Sequence, residues 1–250
     1  MVNGIDIFRE HFNHFKEQYT VIGGFACDLL MNDAGLDFRQ TVDIDMVLIV
    51  EALTTDFAKA FWAFIEAGGY QARQRSNGQP EFYRFVDPTN PAYPKMIELF
   101  SRPQSNVVLQ PDTHLMPLHI DDEVSSLSAI LLNDDYYKAL LNGKEVRKGL
   151  SVLRPEYIIL FKAKAYLDLK RQKDLGEKVD SSDIKKHKKD VLRIASELIL
   201  EKVEELPIAV DADIHSFIDL LEQEPFDQNS LKRFGLKNEN VVEVLKQVFG

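Results

Sequence analysis

A strand-forming run that carries two carboxylates on one face has few ways to fold, and residues 42–50 are such a run. The segment VDIDMVLIV is apolar and largely β-branched except for Asp43 and Asp45. Side chains two apart on a strand share a face, so these carboxylates project side by side while Val42, Ile44 and Met46 are expected to turn into the core. Like charges so placed repel each other, and a divalent cation held between them removes the repulsion. Upstream, Thr20-Val21-Ile22 reads as a second strand that ends at Gly23-Gly24, where a short helical pattern begins. A glycine pair there permits a tight turn and the close approach of a backbone or a ligand.

A third acid belongs with these two. Glu98 stands between Ile97 and Leu99 in the strand-like run from Lys95 to Phe100, 53 residues beyond Asp45. Asp-x-Asp alone is a weak signal, because 22 aspartates in 250 residues give about two such pairs by chance, the false-positive risk of any short motif. Two occur. The second, Asp211/Asp213, precedes a helical pattern and reads as an N-cap with an acid favoured by the helix dipole. The first pair is distinguished by its apolar strand, the glycine turn upstream and the lone acid downstream. Three carboxylates on two strands suit phosphoryl-type transfer, which needs metal ions and an in-line geometry more than covalent help from protein. The glycine turn would offer backbone N–H groups and a positive helix end to phosphates.

The remaining pattern is α+β. Ile5, Phe8, Phe12, Phe15 and Tyr19 form one apolar stripe of an opening helix. Thr54 or Thr55 caps a helix through Ile65 that Gly68-Gly69 ends. Runs 70–73, 81–86 and 95–100 read as strands, with SNGQP as a hairpin turn. Runs 114–120 and 126–132 read as edge strands, and 134–141 as a short helix. After Arg154-Pro155 the chain reads as all helix, over 155 to about 175, from Ser181 or Ser182 through Glu205, and near 211–223 and 238–248. We therefore expect a mixed-sheet domain over 1–150 and a helical domain over 151–250.

Several function classes are disfavoured. A single cysteine, Cys27, excludes an internal disulfide and a cysteine-based zinc site and fits a reducing compartment. The N-terminus lacks an apolar signal core and no run is long enough to span a membrane, so the expected location is cytoplasmic. P-loop, dinucleotide-fold, nucleophile-elbow and H-E-x-x-H motifs are all absent. His11 and His14 read as surface or packing residues. A net charge of −10 argues against a general nucleic-acid coat protein. That charge is uneven, for residues 154–193 hold 12 Lys+Arg against 7 Asp+Glu. This basic island is either a solvated helix face or a place where phosphates go.

The runs VIGGFA from Val21 and RQTVDIDM from Arg39 resemble the signature of the polymerase-β-type nucleotidyltransferase superfamily, and MIEL from Met96 resembles its third acidic strand. LRPEYIILFKAKAYLD from Leu153 and KKDVL from Lys188 resemble the AbiEii-type branch, which comprises abortive-infection and type IV toxin proteins. The resemblance covers roughly residues 19–200. It implies a nucleotidyltransferase-fold mixed sheet with flanking helices and a C-terminal helical domain. It also implies two Mg2+ ions on Asp43, Asp45 and Glu98, and an NTP cradled by Gly23, Gly24, Lys162 and Asp190. The acceptor would be tRNA or other RNA, a protein or a small molecule, and a cognate antitoxin would be a partner. Gly24 stands where many members carry serine, which removes a hydroxyl. Lys162 suits a triphosphate as a helix ammonium, against the alternative of a surface lysine lying along apolar neighbours. Asp190 could position Lys162, hold a basic residue or help deprotonate the acceptor, and positioning is favoured because nothing in the sequence shows a raised pKa. Lys164 is expected to be solvated. Arg39 and Thr41 either touch phosphate or base or serve the loop. The rivals are small-molecule, antibiotic-type nucleotidylation and a nucleotide-binding or interaction module without turnover.

Overall fold

Ile5, Phe8 and Phe12 recur at helical spacing, and the chain accordingly opens with a helix, Ile5–Phe12 (α1), that buries all three. Phe15 and Tyr19 continue the apolar stripe in sequence but lie beyond that helix, Tyr19 as the first residue of Tyr19–Ile22 (β1). The computed structural model describes residues 3–39, 41–73, 82–102, 130–131, 133–235 and 237–250. After β1 come Gly23–Asp33 (α2), Asp43–Leu48 (β2) and Thr55–Gly68 (α3). Thr54 caps α3 by accepting from the Phe57 amide at 3.2 Å, and Gly69, in the left-handed conformation, ends it. Gln71–Arg73 (β3), Phe82–Val86 (β4) and Met96–Phe100 (β5) follow.

Asp134–Gly143 (α4) then leads into Lys144–Arg147 (β6) and Leu150–Leu153 (β7). This hairpin was not legible beforehand. The expected edge strand over 114–120 lies outside the described residues, as does the SNGQP turn. Most of the run 126–132 does too, and its described residues Ile130 and Leu131 are helical. The later helices are Pro155–Asp174 (α5), Ser181–Glu197 (α6), Ile208–Gln223 (α7), Gln228–Arg233 (α8) and Asn238–Phe249 (α9). α6 stops eight residues short of the expected Glu205, at a cap, Leu198, in extended conformation. Asp211 and Asp213 lie inside α7, whose cap is Pro207, so they are not capping residues. Asp213 instead accepts from the Tyr136 hydroxyl at 3.0 Å and pairs with Lys164 at 3.2 Å.

The chain divides into two units, one of residues 1–119 and 144–153 and one of residues 120–143 and 154–250. The units interleave, and α4 groups with the helices, where its residue Tyr136 meets Phe161 of α5 at 5.5 Å. The first unit carries one seven-stranded mixed sheet in the order β3-β4-β5-β2-β1-β7-β6. β2 runs antiparallel to β1 and parallel to β5, and β1 runs parallel to β7. One sheet face lies on aromatic rings. Phe12 meets Tyr19 at 6.0 Å and Phe64 at 5.2 Å, and Phe61 meets Phe85 at 5.4 Å. Ile44 and Met46 are fully buried as expected, whereas Val42 is 36% exposed because β2 begins only at Asp43. Among the described residues no helix is long and apolar enough to cross a membrane.

Candidate active site

The other face of the sheet gathers the acids. Parallel pairing of β2 with β5 sets Asp45 opposite Glu98, and Asp43, two residues before Asp45, shares that face. One carboxylate oxygen from each of Asp43, Asp45 and Glu98 lies within 4.8 Å of the others. Asp45 and Glu98 are 9% and 5% exposed. Three hard oxygen donors converging from two adjacent strands fit Mg2+ or a similar divalent cation and do not suit a soft metal.

The row extends across the sheet on both sides. On β4, Arg84 stands opposite Glu98, and its Nε lies 2.7 Å from Oε1 of Glu98. On β1, Ile22 stands opposite Asp45, and Gly23 follows it. Gly23 has φ +68°, and a Cβ built there would collide with Oδ2 of Asp45. A left-handed backbone and an adjacent carboxylate together require glycine. A Cβ on Gly24 would lie 3.2 Å from Nη2 of Arg39 and 3.3 Å from Oγ1 of Thr41. Thr41 Oγ1 and the Val42 amide donate to Oδ1 of Asp43 at 3.2 and 3.1 Å, which fixes that carboxylate at the mouth of the strand. Asp43, Asp45, Glu98, Gly23, Gly24, Arg39 and Thr41 are thus neighbours within the first unit.

Lys162 and Asp190 belong to the second unit. They form a buried ion pair between α5 and α6, with Nζ 3.0 Å from Oδ2 and residues 7% and 3% exposed. Lys162 is therefore a buried, paired lysine and not one lying along the surface. Lys164 is not solvated. It pairs with Asp168 at 3.1 Å as well as with Asp213, because the short step along α5 turns it to the side that faces α7. His11 is a packing residue, its ring 2.7 Å from the carbonyl of Ala60 and edge-on to Phe64.

Arg84 is the site residue that sequence reasoning missed. The signal was there, since FYRFV is an apolar strand with one charge and its partner strand MIEL also has one. Pairing β4 with β5 in antiparallel register sets those two charges opposite each other.

No protein-family model and no curated protein matches the sequence. Among solved structures, the chain is similar to an antigenic nucleotidyltransferase-like protein from Paracoccidioides brasiliensis, with TM-score 0.48 and 15% identity over 97% of this chain and 90% of that one. It is also similar to a variant of the Cid1 poly(U) polymerase bound to MgATP, with TM-score 0.25 and 10% identity over 67% of this chain and 41% of that one. Likenesses at these scores assign neither a family nor an activity to the chain.

Proposed function

We propose that the protein is a Mg2+-dependent nucleotidyltransferase that moves a nucleoside monophosphate from an NTP to an acceptor hydroxyl and releases pyrophosphate. The observation that carries this reading is the convergence of Asp43, Asp45 and Glu98 within 4.8 Å beside a glycine turn that opens a helix. Mg2+ on those carboxylates, two ions in this reading, would neutralise triphosphate charge and activate the attacking hydroxyl. The chain's own residues supply the rest. Gly23 and Gly24 leave the turn without side chains, and the first amides of α2 are the groups this reading gives to a phosphate. Arg39 and Thr41, packed against Gly24, are the side chains placed for phosphate oxygens or the base. Arg84 holds Glu98 in one orientation. Lys162, paired with Asp190 at 3.0 Å, keeps in this reading only the role the resemblance implies, that of a triphosphate ligand. The acceptor is an RNA such as tRNA, a protein or a small molecule. A cytoplasmic toxin of an abortive-infection or toxin–antitoxin pair, with a cognate antitoxin, is the biological role that accompanies this reading.

The ion pair between Arg84 and Glu98 favours one second reading. A carboxylate already neutralised by a guanidinium contributes less charge to a cation, as in a nucleotide-binding module without turnover. Incubation with each α-labelled NTP and Mg2+, with RNA, protein and small hydroxylated acceptors in parallel, separates the two. Label transfer that EDTA and Asp45→Asn both abolish is the expected result. Mg2+-dependent NTP binding with no transfer to any acceptor would establish the module instead. Absence of both ends the nucleotide reading.

A further inference from the structure

The helical unit holds a cavity of about 520 Å3 between α5, α6 and residues 225–227, none of whose lining residues belongs to the acid cluster. Its walls are of two kinds. Tyr166, Ile184, Leu192, Pro225 and Phe226 give an apolar floor, and five lysines stand around it against two aspartates. Two of the lysines are committed to the fold. Lys188 donates to the carbonyl oxygens of Glu224 and Pro225, with its ammonium 5.6 Å from the Tyr166 ring and 5.5 Å from the Phe226 ring. Lys170 pairs with Glu224 at 2.8 Å.

The other three are less tied to the fold, although Lys173 acts on the Asp180 carboxylate and Lys189 on that of Asp227. Lys173 donates to the neutral hydroxyl of Ser181. Lys185 and Lys189 are exposed and, among the described residues, make no hydrogen bond or salt bridge. Of the two acids, Asp227 is engaged in capping α8, where it accepts from the amides of Asn229 and Ser230 at 3.1 and 3.0 Å. Ser181, the first residue of the 17-residue helix α6, also lines the cavity, and the start of that helix is capped by Asp180, which accepts from the Ser182 amide at 2.8 Å.

We propose that this cavity is a nucleotide site, which takes a planar base on its apolar floor and the phosphates on Lys173, Lys185 and Lys189 without a metal ion. Its volume is that of a small-molecule site. Inorganic polyphosphate would leave the apolar floor unused, and an uncharged ring would leave the excess of five lysines over two aspartates unmatched. A nucleotide satisfies both walls. A nucleic-acid strand needs cations that track its backbone, whereas these cations cluster around one cavity in a chain of net charge −10.

The test uses the full-length protein in EDTA, with ATP as the probe in calorimetry and with tripolyphosphate, adenosine and a short single-stranded RNA as competitors. ATP is expected to bind more tightly than tripolyphosphate or adenosine. The charge reversals Lys185→Glu and Lys189→Glu together should weaken it by roughly tenfold or more, and rising salt should weaken it further. Lys59→Glu, at an exposed position of α3 in the other unit, should not change it. The acid cluster is excluded separately, since Asp45→Asn should leave this metal-free binding intact even if transfer is lost. Five results would overturn the proposal. These are failure of ATP to bind without metal, equal binding of tripolyphosphate, displacement by the RNA at lower concentration, unchanged affinity in the double reversal, and loss of binding in Asp45→Asn.

Discussion

The guanidinium Nε of Arg84 lies 2.7 Å from Oε1 of Glu98, with the two side chains 22% and 7% exposed. The contact joins neighbouring strands in register and ties one of three crowded carboxylates to a fixed cation. Removing it should leave a buried carboxylate next to two others. Arg84→Ala is therefore expected to cost on the order of 3 kcal/mol in metal-free buffer, the usual penalty for breaking a largely buried pair. Mg2+ should restore more of the melting temperature in the variant than in the parent protein, because cation binding then relieves a larger repulsion. Thermal melts with and without Mg2+ measure both. Equal Mg2+ responses would mean that Glu98 is not part of the metal cluster.

Charge crowding also sets the sign for the aspartates. Asp45→Asn or Asp43→Asn removes one of the like charges gathered within 4.8 Å. The apo melting temperature should hold or rise slightly, and the Mg2+-induced shift and nucleotide transfer should both disappear. A fully active Asp45→Asn protein would sink the mechanism.

The two glycines of the turn should respond differently. Gly23→Ala combines a left-handed backbone, φ +68°, with a collision against the Asp45 carboxylate. The backbone strain alone costs roughly 1–2 kcal/mol, and the displaced carboxylate should weaken the Mg2+ response as well. Gly24→Ala meets only the tip of Arg39 at 3.2 Å and the Thr41 hydroxyl at 3.3 Å, groups that can shift. It should change stability by less than about 1 kcal/mol and act mainly on NTP affinity. Paired melts and NTP titrations test the contrast, and equal loss of stability in both variants would contradict it.

Much of the first unit could be read before the structure because its signals are local. The Asp43–Asp45 spacing fixes a shared face whatever the sheet topology, the Thr54 cap and Gly69 stop bound one helix, and the apolar strand around Glu98 announces itself. Arg84 could not be assigned in the same way, since its meaning depends on which strand lies beside β4. The β6–β7 hairpin escaped for a related reason. Its edge strand KEVR is polar and carries no alternation of its own, and only its pairing with Leu150–Leu153, with its four buried residues, makes it a strand. Lys164 shows a limit of helical-wheel reasoning. Two residues from Lys162 it does face elsewhere, but that side meets Asp213 of α7 rather than water.

The buried pair of Lys162 and Asp190, 3.0 Å apart, separates structural from chemical roles. Lys162→Ala takes a cation away from Asp190, only 3% exposed, and breaking a buried ion pair typically costs about 3–5 kcal/mol. Lys164→Ala should cost less, on the order of 1 kcal/mol, because its side chain is 21% exposed and its acids keep contact with solvent. Loss of activity in Lys162→Ala alone is therefore no proof of a site role. The double variant Lys162→Met with Asp190→Asn removes both charges at nearly constant volume and should melt close to the parent protein. If Lys162 stabilises the leaving pyrophosphate, this folded double variant should still lose roughly 10²–10³ in kcat, the scale of one preorganised donor. A double variant that folds and transfers nucleotide at the parental rate would make the pair a structural rivet of α5 and α6 and remove Lys162 from the site.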